Sequence, residues 1–547
     1  MKAAVSVAAL CVVLGFVLGK SSAVLAAPQS VLPPFEFDGE QAQSTVLDAA
    51  VVLQRVRFEG NQVIATAVLD AAAAPFLNRP LTSADLVGLR DELTRVYIDA
   101  GYLTSGAELG SLDGQTLTVQ LSENPLTIVA VGTDGRFRPS RLQRMIAANN
   151  DGGPLNIFAL ERSLQLLLQN PRIDQLDARV QPGAVPGEAV LYVQAEEAPS
   201  WSLDISANNH QSTAVGEART DLYFQSAGLL GLGDELNLNA SVAEGLVEGQ
   251  LGYAVPLTAA GTTLALFVEA TDTEVVAEPF DELDIEAESR TLRLELSRPF
   301  WRDLRLNVGG FVSAELQRSK TFLLGQGFSF VAGPDEGEVD LTIIKVGTDV
   351  LWRGLNNVFA ARLALAKGVD AFGATNTSLM GFSSERPPDP EFFAVEAQFQ
   401  WGRRLPFLNS QWLVRGQLQL ADDPLFGVVQ SRIGGRHSVR GYRENTLIRD
   451  SAMTASVEWR VPLWADATGR PRLEISPFLD WSHSWNVDRD EAGPSELKSA
   501  GIGLSWRPTP RWWLELQWGH AFDNLSYAGE HSLTDDGIHL SLWWSAR

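Results

Sequence analysis

The chain has 547 residues, of which 45% are hydrophobic and 20% charged, and it carries a formal net charge of −24 at pH 7. So large an acidic excess excludes nucleic acid or another polyanion as a partner. The single cysteine, Cys11, lies in the first residues, which excludes a disulfide framework and thiol chemistry from the mature protein.

The N-terminus has the layout of an export signal. Lys2 gives a basic start, Ala3 to Leu18 is an apolar run, and Val24-Leu25-Ala26 leads to a cleavage site after Ala26. Leu10 stands before Cys11, where a lipoprotein signal needs a small residue. Residues 1–26 are therefore a signal peptide, and 27–50 a linker with room for a short helix over Asp38 to Ala50. No later stretch reaches the ~18 apolar residues that a membrane helix requires.

Two segments, 51–123 and 124–199, then repeat one order of elements, strand-helix-helix-strand-strand. In the first, Leu53 to Glu59 is a strand closed by Gly60-Asn61, and a helix follows near Val63 to Ala73. Thr82 and Asp85 form a capping-box pattern before a helix whose apolar positions are Leu86, Leu89, Leu93 and Val96. Gly101 ends it, and the last strand is Thr116 to Leu121. The second segment has a strand at Leu126 to Val131, helices at Pro139 to Ala147 and Asn156 to Gln169, and strands near Asp174 to Val180 and Glu188 to Glu196, separated by a Pro/Gly turn. Nothing catalytic is concentrated in either, so both read as small α+β binding modules.

The chain changes character at Trp201, since all 15 tryptophans lie at or beyond it. From there residues alternate with period two, as in Leu236, Leu238, Ala240 and Val242 against Glu235, Asn237, Asn239 and Ser241. Alternation alone fits a soluble sandwich as well as a membrane barrel. Loop length separates them. About 16 strand candidates occur in 200–547, joined alternately by short turns such as Pro299 to Asp303 and by longer loops, the longest being 421–450, as an outer-membrane barrel requires. An even count also returns the C-terminus to the side of the N-terminal modules. The last strand, Gly537 to Trp544, puts Ile538, Leu540, Leu542 and Trp544 on one face. It resembles the assembly signal of outer-membrane proteins, although Ser545-Ala546-Arg547 follows the aromatic residue. Acidic stretches such as Asp272 to Glu288 read as solvated external loops.

The longest loop carries Gly434-Gly435-Arg436-His437-Ser438-Val439-Arg440-Gly441-Tyr442. Val439 to Tyr442 resembles the VRGY motif in the sixth loop of TpsB transporters, the outer-membrane members of two-partner secretion (haemolysin-activator and filamentous-haemagglutinin transporter type). On the thirteenth strand, Phe478-Leu479-Asp480-Trp481-Ser482 resembles the family's F-x-D-x-G, with Ser482 in place of the glycine. The resemblance covers essentially the whole mature chain. It implies two periplasmic POTRA domains and a 16-stranded all-β transmembrane barrel in the outer membrane of a Gram-negative bacterium. Loop six would fold back into the lumen, so that Arg440 meets Asp480 on the wall. The alternation of that strand agrees, because Leu473, Ile475, Leu479 and Trp481 share one face and leave Phe478 and Asp480 on the other. An N-terminal plug helix is also a family feature, for which 27–50 is short.

The implied function is recognition of an unfolded, TpsA-like secreted exoprotein by the POTRA domains and its passage through the barrel, with outer-membrane lipid and the barrel-assembly machinery as further partners. An assembly or insertase factor of the same superfamily and a passive porin are the other readings left open. The six histidines show no metal-binding spacing, and no nucleotide fingerprint or serine-hydrolase motif is present, so neither cofactor nor metal nor enzymatic activity is expected.

Overall fold

The computed structural model describes residues 51–124, 126–148, 153–182, 189–331, 334–375, 386–527 and 531–546. The export signal, the linker or plug helix, and the turn at 183–188 expected above lie outside them.

The chain divides into a unit spanning most of 28–200 and a barrel unit from Trp201 on. In the first unit, Arg55–Glu59 lies parallel to Thr116–Ser122, which pairs on its other side with antiparallel Gly106–Asp113. The next three strands repeat this order: Leu126–Thr133 is parallel to Ala189–Glu197, and Ile173–Pro182 is antiparallel to it. Each sheet packs against two helices, Thr66–Ala73 and Ser83–Asp99 in one, Pro139–Ala148 and Ile157–Leu168 in the other. The apolar stripe expected on the second helix closes the first core, where Leu86, Leu89, Leu93 and Tyr97 meet Val56, Leu117 and Val119. Thr82 caps that helix: its hydroxyl accepts from the Asp85 N–H while Asp85 accepts from the Thr82 N–H. The first helix begins at Thr66 and not near Val63, because the Glu123 carboxylate takes the N–H groups of Gln62 and Val63.

The barrel closes with 16 spanning antiparallel strands. In chain order they begin at Trp201, Arg219, Glu235, Leu246, Thr263, Ile285, Leu306, Glu338, Asn357, Phe393, Gln411, Ser451, Pro471, Glu496, Trp512 and Ile538. Tight connections at 303–305, 354–356, 466–470 and 510–511 alternate with long ones at 324–337, 370–392, 422–450 and 522–537. The acidic stretch Asp272 to Glu288 is a loop only over 275–284. Both flanking strands run on through its charges, where cross-strand contacts such as Arg290 Nη1 to Asp272 Oδ1 at 2.7 Å support them.

Burial inverts between the two units. In the barrel Leu292, Leu294 and Leu296 are 44%, 48% and 42% exposed, whereas Asp221, Glu269 and Glu315 are 3%, 3% and 6% exposed. A water-soluble sandwich does not keep its apolar face out and its carboxylates in, because burying leucine is favourable whereas burying charge is costly even when it is paired. A lipid-facing wall around a polar lumen requires it. Trp301, Trp352, Trp412, Trp464, Trp506 and Trp512 are exposed beside the tight turns, as an interfacial girdle demands. Among the described residues no helix is long and apolar enough to cross a membrane, and the crossing is made by strands.

Candidate functional site: loop six in the barrel lumen

Segment 422–450 leaves the strand Gln411–Ala421, pairs Ser431–Ile433 with Leu447–Arg449 as a short hairpin, and sends the residues between them down the lumen. Ser438 shapes its tip, accepting the Gly434 N–H at 2.8 Å and donating to the Gly434 carbonyl at 3.0 Å. Gly434 and Gly435 have φ of 107° and 89°, left-handed values that tolerate no ordinary side chain. Asp450 fixes the base of the loop through the Leu425 and Val487 N–H groups and the side chains of Gln430 and Arg489.

Arg440 is 1% exposed. Its Nε and Nη2 donate to the two oxygens of Asp480 at 2.7 and 2.8 Å, and its backbone N–H donates to the same carboxylate at 3.1 Å. Nη1 donates to Glu458 at 3.0 Å and Nη2 also to Ser456 at 3.1 Å. The guanidinium lies 3.4 Å from the centroid of the Phe478 ring. Strand alternation explains the assembly: on Pro471–Trp485 it turns Phe478 and Asp480 inward while Leu479 faces out, 60% exposed. A planar ion over an aromatic face, bidentate to one carboxylate, is held in orientation as well as in place.

Val439 and Tyr442 are buried with Ile433, Leu447 and Leu497 in an apolar cluster. The Tyr442 hydroxyl donates to the Lys498 carbonyl at 2.9 Å. Between them Gly441, at φ 95°, passes so close to the strand Trp512–Ala521 that a Cβ there would lie 2.8 Å from the Gly519 carbonyl oxygen. A Cβ on Gly519 would likewise fall 2.8 Å from the Arg440 backbone. Backbone therefore meets backbone, and only glycine fits on either side. Nearer the tight turn 510–511, Arg436 reaches Glu515 at 2.8 Å.

No motif in the sequence marks Glu458, Ser456, the Arg436–Glu515 pair or the gathering of three histidines, in which the His210 ring lies 6.1 Å from those of His437 and His539. Inward position on Ser451–Ala465 was the available signal for Glu458, since Val457 on its flank is outward. On the loop itself, outside the spanning strands, burial holds the His437 imidazole down at about 3 and pushes the Glu444 carboxyl up to about 7. Among the described residues no group of histidines and carboxylates is arranged to hold a metal.

The last strand, Ile538–Ser545, has Leu540 and Leu542 on its outer face, with Gly537 just before it at φ 72°. Trp544 pairs with Ile205 of the first strand, and the next two residues stay attached to it: Ser545 pairs with Asp204, and Ala546 donates to the Leu203 carbonyl at 2.9 Å.

Comparisons with known proteins converge on one family. A model for haemolysin secretion/activation protein ShlB/FhaC/HecB matches residues 187–506, and one for the POTRA domain, ShlB-type, matches 51–124. Outer membrane transporter CdiB of Escherichia coli O6:K15:H31 (strain 536 / UPEC) is 25% identical over 473 residues, covering 83% of this chain and 76% of that protein. Hemolysin transporter protein ShlB of Serratia marcescens is 24% identical over 386 residues, covering 68% and 65%. Among solved structures, CdiB from Escherichia coli superimposes with a TM-score of 0.67 at 18% identity over 93% of both chains. BamA from Haemophilus ducreyi lacking POTRA domains 1–3 gives 0.55 at 14% identity, over 91% of this chain and 100% of that one. At these identities the solved structures speak for the fold alone.

Proposed function

This chain belongs to the haemolysin secretion/activation protein family, and on that premise we propose how its modules, lumen and loop six move a protein. It is an outer-membrane transporter of two-partner secretion, with its POTRA region in the periplasm. In our reading, the modules at 51–123 and 124–199 receive an unfolded exoprotein before it enters the barrel. Gly106–Asp113 and Leu126–Thr133 are sheet edges, and an edge can add an extended chain through backbone hydrogen bonds while tolerating varied side chains. The passenger then crosses the lumen once loop six withdraws. No nucleotide-binding motif is present in the sequence, so folding of the passenger outside supplies the drive. The outward leucines meet outer-membrane lipid, and the strand carrying Gly537, Leu540, Leu542 and Trp544 is offered to the barrel-assembly machinery.

The observation that carries this reading is the bidentate Arg440–Asp480 pair, backed by Glu458 and Phe478. It fixes an extracellular loop to the wall of the conduit that the passenger must use. The bidentate, charge-assisted contact fixes the loop in orientation as well as in place, and a passenger that withdraws the loop returns both charges to water. Arg440→Asp and Asp480→Arg are each expected to abolish regulated export, and the two combined to regain part of it. A double variant that regains nothing would count against a simple pair. Deleting 51–123 is expected to abolish export of the partner protein while leaving diffusion of small solutes as it was; unchanged export would sink the receptor role.

A further inference from the structure

Loop six carries a second arginine, and it faces the place where the barrel closes. The ladder between the last strand and the first has five register pairs, from Ser541–Asn208 to Ser545–Asp204. The neighbouring ladders have seven and eight. A closed barrel owes its stability to having no free strand edge, so its shortest ladder is where closure is held least by backbone.

Toward the long loops one more backbone bond, from the Asn209 N–H to the Leu540 carbonyl at 3.3 Å, extends that ladder, and side chains then take over. Asn209 follows the first strand, and its Nδ2 donates to the Ile538 carbonyl at 3.0 Å while its Oδ1 accepts the Leu540 N–H at 2.8 Å. Farther out, the Ser532 hydroxyl donates to the Glu217 carboxylate, joining the loop before the last strand to the loop after the first. Arg443 joins the same two loops. Its Nε and Nη2 grip both oxygens of Asp535, the latter at 2.6 Å, and Nη1 donates to Thr213 Oγ1 at 3.1 Å. Its guanidinium lies 4.7 Å from the Tyr527 ring centroid. Thr213 belongs to 209–218, which leaves the first strand, and Asp535 to 522–537, which enters the last. One guanidinium therefore spans the seam.

The turn at Gly441 lets two arginines three residues apart serve two walls. Arg440 points to the strands Ser451–Ala465 and Pro471–Trp485, and Arg443 to the closing edge. We infer that Arg443 is a positioning residue that clasps the extracellular end of the seam, so that withdrawal of loop six frees the lumen and loosens barrel closure in one movement. This rests on loop six being the moving part proposed above. The seam is then breathable only while a passenger occupies the space that the loop has left.

Hydrogen exchange on the full-length protein in bilayers tests it, following the seam segments 203–209 and 538–545 beside the loop segment 434–446. A charge-assisted bidentate contact is worth on the order of tenfold or more in an opening equilibrium. Arg443→Gln and Asp535→Asn are expected to speed seam exchange by about that factor while 434–440 stays protected. Exchanging the charges, with Arg443→Asp and Asp535→Arg together, is expected to restore most of the protection, which a merely structural loss would not do. Thr213→Val, removing one acceptor only, is expected to give a smaller change of the same sign and serves if the larger variants fail to assemble. Unchanged seam exchange in these variants, or no recovery in the charge exchange, overturns the clasp. If Arg440→Gln leaves 434–440 protected, the gate reading fails by itself. If it frees the loop while Arg443→Gln leaves the seam protected, only the clasp fails.

Discussion

The first POTRA core and the barrel wall use the same residue types in opposite places. In the module Leu89 and Leu93 are fully buried and Arg79 and Asp85 face water; in the barrel Leu294 and Leu296 face out and Asp480 and Glu458 are buried. The difference lies in the solvent. Water penalises the exposed leucine, whereas lipid penalises the exposed charge. Polar groups inside the barrel line a lumen shielded from lipid, and many pair with one another; in Arg440 that partnering has become the means of holding a loop.

The comparison breaks most visibly under truncation of leucine. Leu89→Ala is expected to destabilise the module by about 2–5 kcal/mol, through lost transfer energy and the cavity left behind, while Leu294→Ala on the barrel barely changes its heat-modifiable mobility. Exchange protection of the helix Ser83–Asp99 in the full chain checks the first. Reversing the chemistry reverses the ranking: Leu294→Arg near the middle of its strand is expected to cost about 2–4 kcal/mol, read as loss of the folded barrel in denaturant titration within bilayers. A matching arginine at an exposed module position should be silent. Of the destabilising changes the smallest is at the helix cap. Thr82→Ala is expected to cost about 1 kcal/mol.

The same cap gives a pH dependence with a definite sign. Hydrogen bonds from the Thr82 hydroxyl and backbone, then Arg79, hold the Asp85 carboxyl down at about 2. A depressed folded value means that its contribution is present above the ordinary carboxylate range and is lost as pH falls from about 4 toward about 2. Protection of the module's amides, taken relative to the intrinsic exchange rate at each pH, should therefore fall in that window, and less so in Asp85→Asn.

Much of the fold was legible because a barrel writes itself locally. Period two, the long-short rhythm of connections and the tryptophan boundary at Trp201 all survive in one dimension. The inward face of Asp480 was readable for the same reason, since Leu479 and Trp481 mark the other face. The motif at Arg440 came from resemblance, and the alternation of strand 13 supported its partner. What stayed hidden is what closure alone decides. Glu458, Glu515 and Asp535 are ordinary carboxylates in sequence, and any inward one is an equal candidate for any loop arginine until the barrel fixes which faces which. Arg443 is adjacent to the motif, but Thr213 is 230 residues away from it, and no periodicity connects them. The true start of the first helix was hidden likewise, because Glu123 comes from beyond the last strand of its own module.

The tryptophan boundary also has an optical consequence. The modules contain no indole, and their described tyrosines are Tyr97, Tyr102 and Tyr192. Emission excited at the red edge therefore belongs entirely to the barrel and its lipid-facing girdle. A passenger that lacks tryptophan therefore leaves this emission unchanged while it is docked on the modules alone and alters it only on reaching the barrel, where Trp513 and Trp543 stack on each other.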